Sequence, residues 1–384
     1  MFAQRPGNLD AIALDLPPGH ILKGFRYRLY PTCAQAHQLR RQLGCCRWVW
    51  NHFLAARRAD PRAYSTYSKM AAQLTVLKRD PDLAWLKLAN AQALQQTLMD
   101  LERAWEAHRR GLRGRPKFKR KHRYPAGFRV PQAFHLEDNR LHLPKFKKGI
   151  NIVLHRPLEG EQRSVSVVLE ADGQWYASIL CRVPHTPPAH PGGACGVDVG
   201  LTTFAVSADD DGHVIHFHKP KHLHLAETRL KRLQRRFSKC QAGSHRREKA
   251  RRALAKQHAK VRRQRADFLH QAARRLADAY ALIGVESLNI QGMQQNHCLA
   301  KSIADAGWYT FKTYLKYKAT WQGGQVIEVE TFYPSSKTCS ACGYVLAKLP
   351  LSEREWLCPC CNAWHDRDIN AAANLLRVAL NSAP

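Results

Sequence analysis

Acidic residues are scarce in this 384-residue chain: 30 Asp and Glu stand against 61 Lys and Arg, a formal net charge of +31. A compact domain with that excess repels itself unless a polyanion compensates. Long apolar runs are missing too. None approaches the ~18–20 residues needed to span a bilayer, and the N-terminus, Met1-Phe-Ala-Gln-Arg-Pro-Gly-Asn, lacks the apolar segment of a secretory signal. Membrane-binding charge normally collects on one amphipathic helix or tail, whereas here it runs along the whole chain, which fits nucleic acid better. Hydrophobic residues still make up 45%, which excludes a wholly disordered basic protein. The expectation is a soluble intracellular protein of roughly two or three domains with no membrane partner.

Residues 1–20, rich in Pro and Gly and without periodicity, read as a loose lead-in. Residues 21–30 then alternate, with Phe25, Tyr27 and Leu29 on one face and Arg26 and Arg28 on the other, as in a half-buried strand. Thr32 and Gln35 form a capping-box pattern ahead of Leu39, Leu43, Cys46, Trp50 and Phe53 at helical spacing. Two further helices are expected, through Met70, Leu74 and Leu77, and through Leu94, Leu98, Leu101 and Trp105. This small bundle ends in a basic stretch over residues 109–124, where glycines and a proline forbid a stable helix. Arg113, Arg115, Lys117, Lys119, Arg120 and Lys121, interleaved with Phe118 and Tyr124, suit a phosphate backbone with bases stacked on aromatics. Short strands follow at 127–130, 140–143, 150–154, 164–170 and 175–182, with Asp172-Gly173 as a hairpin turn. The helical bundle is thus inserted in a β module begun by residues 21–30.

From Cys195 the pattern changes. Gly196-Val-Asp-Val-Gly200 is a short apolar strand with Asp198 embedded in it, and a buried carboxylate needs a partner or a metal to offset its desolvation. Strands at 202–207 and 213–217 follow. Residues 226–280 form a long basic helical hairpin broken at Gly243-Ser244, whose Arg246, Arg247 and Arg251 are candidate nucleic-acid contacts. Ala281-Leu-Ile-Gly-Val-Glu286 is another apolar strand, ending in Glu286. A helix over about 300–321, a strand at 325–330 and a helix beginning near His365-Asp-Arg-Asp-Ile-Asn370, with Asp368 in its first turn, complete the order. That order is the ribonuclease H-like α/β arrangement, with Asp198, Glu286 and Asp368 converging at one end of the sheet. Clustered carboxylates need cations, and hard oxygen ligands suit Mg²⁺ or Mn²⁺. Two such ions would activate water for phosphodiester hydrolysis.

Of the 12 cysteines, Cys33, Cys45, Cys46, Cys181, Cys195, Cys240 and Cys298 are scattered and read as buried or half-buried thiols. The others cluster. Cys339-Ser-Ala-Cys342, fifteen residues, then Cys358-Pro-Cys-Cys361 has the spacing of a four-thiolate zinc ribbon, one structural zinc held by two knuckles. Cys358 with Cys361 keeps the two-residue gap, which leaves Cys360 over, its role open.

These motifs together, with Gly284-Val-Glu-Ser-Leu-Asn289, Leu299-Ala-Lys-Ser-Ile-Ala-Asp-Ala-Gly-Trp308, Phe332-Tyr-Pro-Ser-Ser-Lys-Thr-Cys339 and His365-Asp-Arg-Asp-Ile-Asn-Ala-Ala372, resemble the TnpB or OrfB proteins of bacterial and archaeal insertion sequences. The resemblance runs from about residue 21 to 377 and implies an RNA-guided DNA endonuclease related to compact type V CRISPR effectors. It implies a guide RNA from the transposon end, double-stranded target DNA with a short adjacent motif, a separate transposase as functional partner, and a prokaryotic cytoplasmic location. By motif, the RuvC-like carboxylates are Asp198, Glu286 and Asp368, with Asp366 orienting a neighbour or capping its helix. Carried onto this chain, the domains are a wedge-like β domain (21–31 and 126–190), a recognition bundle (32–125) and a RuvC-like core (191–334). A zinc ribbon that binds target nucleic acid (335–364) and a last RuvC segment (365–384) complete them. The Gly usual after the last cysteine is Asn362 here, which tolerates a left-handed turn. The alternative is a catalytically silent nucleic-acid-binding regulator or transposase accessory protein, whose mark would be a lost acidic residue; none is lost.

Overall fold

The computed structural model describes residues 16–62, 66–190, 192–220 and 222–383, so most of the expected lead-in lies outside the described residues. The chain divides into two compact units. One runs up to Pro184 and takes in Arg251–Lys256; the other comprises His185–Ala250 and the chain from Gln257 onward. Among the described residues, no helix is long and apolar enough to cross a membrane.

The first unit is a seven-stranded antiparallel sheet with a helical insertion. Strand β1 (His20–Tyr30) alternates as its sequence requires, Phe25, Tyr27 and Leu29 buried and Arg26 and Arg28 exposed. Helices α1 (Cys33–Ala59), α2 (Tyr67–Leu77) and α3 (Ala91–Arg109) follow, with a 3-10 helix at Pro81–Leu88 between the last two. The Thr32 capping box is complete: the Gln35 N–H donates to Thr32 Oγ1 at 3.3 Å and the Thr32 N–H to Gln35 Oε1 at 3.0 Å. The chain returns to the sheet through β2 (Ala126–Val130), β3 (His135–Glu137), β4 (Arg140–His142), β5 (Ile150–Val153), β6 (Glu161–Leu169) and β7 (Trp175–Pro184). Strand order is β2-β6-β7-β1-β5-β4-β3, so β1 sits centrally between strands that come more than a hundred residues later. Leu39, Phe53, Leu94 and Leu98 of the helices share one core with Phe25, Val167 and Ile179 of the sheet. The three-residue strand β3, which pairs with β4 at the edge of the sheet, is not among the strands expected from the sequence.

The second unit opens with β8 (Ala194–Val199), β9 (Ala205–Asp209) and β10 (Val214–Phe217), then the basic hairpin α4 (His222–Lys239) and α5 (His245–Ala279). Strand β9 starts later than its sequence suggests, leaving Thr202 and Thr203 outside it. After β11 (Leu282–Glu286) come α6 (Ile290–Met293), α7 (Ala300–Ala306), α8 (Trp308–Trp321) and β12 (Gln325–Val329). The single helix expected over 300–321 is therefore two: Gly307, at φ +71°, takes the left-handed conformation that ends α7 and starts α8. A small hairpin, β13 (Glu355–Leu357) and β14 (Trp364–Asp366), leads into α9 (Arg367–Ser382). The five-stranded sheet has the order β10-β9-β8-β11-β12, antiparallel on the β9 side and parallel from β8 through β11 to β12.

Alternation gives this sheet two unlike faces. Cys195, Val197, Ile283 and Val285 pack with Leu276 of α5 and Phe311 of α8. Gly196 and Gly284 point the other way, under α9, where a Cβ on Gly284 would lie 2.5 Å from the Leu375 carbonyl and one on Gly196 would run into that of Ala372. Only hydrogen at these two positions lets the helix lie so close. Gly196→Ala is therefore expected to destabilise this unit by about 3 kcal/mol or more, read as a urea midpoint lower than the parent's at the same denaturant slope.

Two cysteine expectations fail. Cys45, Cys46, Cys181 and Cys195 are buried and Cys240 is half-buried, but Cys33 and Cys298 are exposed. Cys33 is the first residue of α1 and Cys298 lies in the loop before α7, neither on an apolar stripe.

Candidate active site and metal centre

The face that holds Gly196 and Gly284 also holds Asp198 and Glu286, two residues further along each strand. Val197 and Val285 are register partners on parallel neighbours, so the two carboxylates that follow them stand side by side at the carboxyl ends of β8 and β11. Helix α9 crosses the same face, and Asp368 sits one turn before Ala372, above the end of β8. The Asp198 carboxyl is pushed up to about 7, first by loss of solvent and then by the negative charges of Asp368 and Glu286. Burial also raises Glu286, beside an apolar recess lined by Val199, Leu288, Ile290 and Trp308. Asp198 thus lies in the field of both other carboxylates, and carboxylate oxygens are hard donors of the kind a divalent cation takes.

A stability consequence follows. A carboxyl raised in the folded state keeps its proton there over a pH range in which the unfolded chain has lost it. Its contribution is complete below about pH 4 and is lost as the pH rises through about 7. In magnesium-free buffer the protein is expected to melt at lower temperature at pH 8 than at pH 5.5 by this contribution, and Asp198→Asn to shrink the difference. Equal pH dependence in parent and variant would contradict it.

Asp366 has another task. Its Oδ1 accepts the Asp368 and Ile369 N–H groups, both at 2.9 Å, which makes it the N-cap of α9 and fixes the turn carrying Asp368. Sequence reasoning missed Arg354, whose guanidinium reaches Asp368 Oδ1 at 3.2 Å and Thr202 Oγ1 at 3.5 Å. No local pattern could have paired residues so far apart in the chain.

The four-cysteine segment folds as two matching knuckles. The Gly343 N–H bonds the Cys339 carbonyl at 2.9 Å and the Asn362 N–H the Cys358 carbonyl at 2.9 Å; Cys339 and Cys358 donate in turn to Tyr344 and Ala363. Gly343 and Asn362 both have positive φ, +81° and +57°. In this correspondence Cys361 matches Cys342, while Cys360 matches Ala341 and points to solvent. The sulfurs of Cys339, Cys342, Cys358 and Cys361 all lie within 4.8 Å of one another, a set able to hold a metal ion. His365, unremarked in the sequence, puts Nε2 3.0 Å from the Cys339 sulfur under the Trp356 ring. Asn370 and Asn374, one turn apart and buried in α9, donate to the Ser335 and Thr338 carbonyls, and Asn370 accepts from the Ser340 N–H. These amides stitch the first knuckle to the helix that carries Asp368.

The basic candidates divide. The loop after α3 is pinned by its backbone to α1: Asn51 exchanges two hydrogen bonds with Lys119, at 2.8 and 2.9 Å, and Trp50 Nε1 donates to the Lys117 carbonyl. Arg113, Arg115, Lys117, Lys119, Arg120 and Lys121 are all exposed along it, with the Lys119 ammonium 3.9 Å over the Trp50 ring and Arg115 stacked towards Trp105. Arg246 is exposed as well. Arg247 instead closes its own hairpin, donating to the Cys240 carbonyl at 2.7 Å over the Phe237 ring, and Arg251 donates to the Ala171 carbonyl at 3.2 Å.

A protein of Streptomyces pristinaespiralis named "Putative RNA-guided DNA endonuclease" is 36% identical over 368 residues, covering 94% of this chain and 90% of that protein. The OrfB model described as "Probable transposase" matches residues 178–297. The chain belongs to the TnpB (OrfB) family. A second relative in Escherichia coli (strain K12), "Putative RNA-guided DNA endonuclease InsQ", is 32% identical, with 92% of each chain covered. A model described as "Cas12f1-like, TNB domain" covers residues 308–375, which include both knuckles, and one described as "Helix-turn-helix domain" covers 21–60, here β1 and the single helix α1. Among solved structures, the chain in "Cryo-EM structure of the Cas12f1-sgRNA-target DNA complex" aligns with a TM-score of 0.58 over 93% of this chain and 99% of that one. At 12% identity, this is a likeness of fold.

Proposed function

We propose that this TnpB-family member is a metal-dependent, RNA-guided DNA endonuclease that hydrolyses phosphodiesters at a single RuvC-like site built on a ribonuclease H-like sheet. The observation that carries the reading is the gathering of Asp198, Glu286 and Asp368 towards one face, where loss of solvent first, and the charges of the other two second, push the Asp198 carboxyl up to about 7. These three carboxylates would hold magnesium or manganese, two ions by family likeness. When bound, such ions lower the pKa of an attacking water and stabilise the leaving 3′ oxygen. Asp366 keeps Asp368 in place by capping α9, and Arg354 lies against the same carboxylate.

One structural zinc on Cys339, Cys342, Cys358 and Cys361 completes the ribbon; the site is closed, with no position for substrate. Residues 335–364 act as the target-nucleic-acid-binding ribbon between 191–334 and 365–384 of the nuclease core. Residues 21–31 and 126–190 act as the wedge-like β domain around the recognition bundle at 32–125. The exposed basic side chains from Arg113 to Lys121, with Arg246, follow phosphates, while base pairing with the guide reads the target. Arg247 supports its own hairpin, and Arg251 is engaged by the Ala171 carbonyl in the turn between β6 and β7.

The test is to sequence the nucleic acid that co-purifies with the protein and then assay cleavage of matched DNA with Mg²⁺. A defined RNA with metal-dependent cutting of matched DNA alone is the expected result. A defined RNA without cutting would turn the reading to guided binding, and heterogeneous RNA without cutting would reject it.

A further inference from the structure

The β3–β4 hairpin carries a cluster that the nuclease reading leaves unused. Its two-residue turn, Asp138-Asn139, has φ +45° and +56°, the pair of left-handed residues that a tight type I′ hairpin requires. The Asn139 carbonyl accepts the Ile152 N–H at 2.9 Å, which ties the turn to β5. This register makes His135 and His142 direct cross-strand partners. Alternation sends Leu141 into the core and leaves His135, Glu137 and His142 together on the other face. The two imidazoles lie parallel, 4.4 Å between centroids and 6° between planes. Glu137 Oε2 is 3.8 Å from His135 Nε2 and 3.9 Å from His142 Nε2. A side chain at position 149 would come within 2.7 Å of that same His142 nitrogen, so Gly149 is what lets the ring lie there.

We infer that this hairpin binds one divalent transition-metal cation of the zinc class through His135, His142 and Glu137, as a further metal centre distinct from the four thiolates and from the three carboxylates. Two imidazoles and a carboxylate suit zinc or nickel, whereas magnesium demands oxygen ligands throughout. Zinc bonds of about 2.0–2.1 Å place neighbouring ligand atoms ~3.4 Å apart, so Glu137 has only about half an ångström to close on each imidazole, while the stacked rings must turn until both Nε2 lone pairs meet at the ion. All three ligand atoms already lie within 4.8 Å of one another. Three protein ligands leave a fourth position for water. Because β3 is the last strand of the sheet, the bound ion staples an otherwise weakly held edge. The inference stands independently of the nuclease reading, since it concerns neither the carboxylates nor the guide.

The experiment uses the full-length, untagged chain with its thiolate cluster already loaded with zinc. Further zinc chloride is titrated in by calorimetry, with circular dichroism confirming the fold of each variant. The parent is expected to take up one additional equivalent. His142→Gln and Glu137→Gln should each weaken that uptake at least ~10-fold, and His135→Ala with His142→Ala should abolish it. All these substitutions sit on a solvent-facing side, so the thiolate-bound zinc stays in place. No additional equivalent in the parent, or the same equivalent retained by the double variant, would overturn the inference.

Discussion

Asp198→Ala is expected to lower metal-dependent cleavage of matched DNA by about 10⁴-fold while leaving guided binding within a few-fold of the parent. Transition-state charge stabilisation at such sites amounts to several kcal/mol, and each 1.36 kcal/mol is a factor of ten in rate. Asp198 is the carboxylate on which the effect should be largest, because loss of solvent and the charges of both other carboxylates act on it together. Binding draws instead on base pairing and on exposed Lys and Arg elsewhere in the chain. A second readout separates chemistry from collapse. Removing a half-buried carboxyl that resists ionisation relieves repulsion, so in magnesium-free buffer above pH 7 the variant should melt no lower than the parent. Undiminished cutting by a folded Asp198→Ala protein would remove Asp198 from the site. Loss of cutting together with loss of binding would point to misfolding, which the melting curve would reveal.

Much of the site's scaffold can be seen in the sequence because it is local. An embedded aspartate in Gly196-Val-Asp-Val-Gly200 and a glutamate closing an apolar run mark strand ends whatever lies around them, and β8 and β11 end there. The Cys-x-x-Cys pairs encode their own turns, so the choice of Cys361 over Cys360 follows from which sulfur a two-residue gap can aim inward. What the sequence hides is tertiary. Gly307 interrupts a helical pattern that continues on both sides, and only its left-handed backbone reveals the break. Arg354 meets Asp368, and His365 meets Cys339, across turns that no periodicity predicts. Asn370 and Asn374 look like ordinary polar residues of a helix start, yet both are buried because carbonyls of the first knuckle need their amides. Arg247, conversely, reads as one more phosphate contact until its bond to Cys240 is seen.

Cys342→Ser is expected to empty the thiolate centre and unfold the ribbon, while Cys360→Ser leaves both intact. The apolar core of this segment is small: Cys339, Leu349, Trp356 and Cys358 with Leu346 against them. So few side chains cannot offset the ordering entropy of such a short stretch, and structural zinc supplies about 10–16 kcal/mol in comparable isolated modules. With cobalt in place of zinc, the thiolate charge-transfer absorption should vanish in Cys342→Ser and persist in Cys360→Ser, a signature that imidazole and carboxylate ligands cannot produce. The damage should also travel. Asn370 and Asn374 are held by carbonyls of the first knuckle, and His365 by one of its sulfurs, so loss of the metal frees the start of α9 and with it Asp368. Cleavage is therefore expected to fall at least ~10²-fold in Cys342→Ser although no carboxylate has changed. Retention of the cobalt band in Cys342→Ser would refute the ligand set; its loss with full cleavage would show that the ribbon and the carboxylate site are mechanically independent.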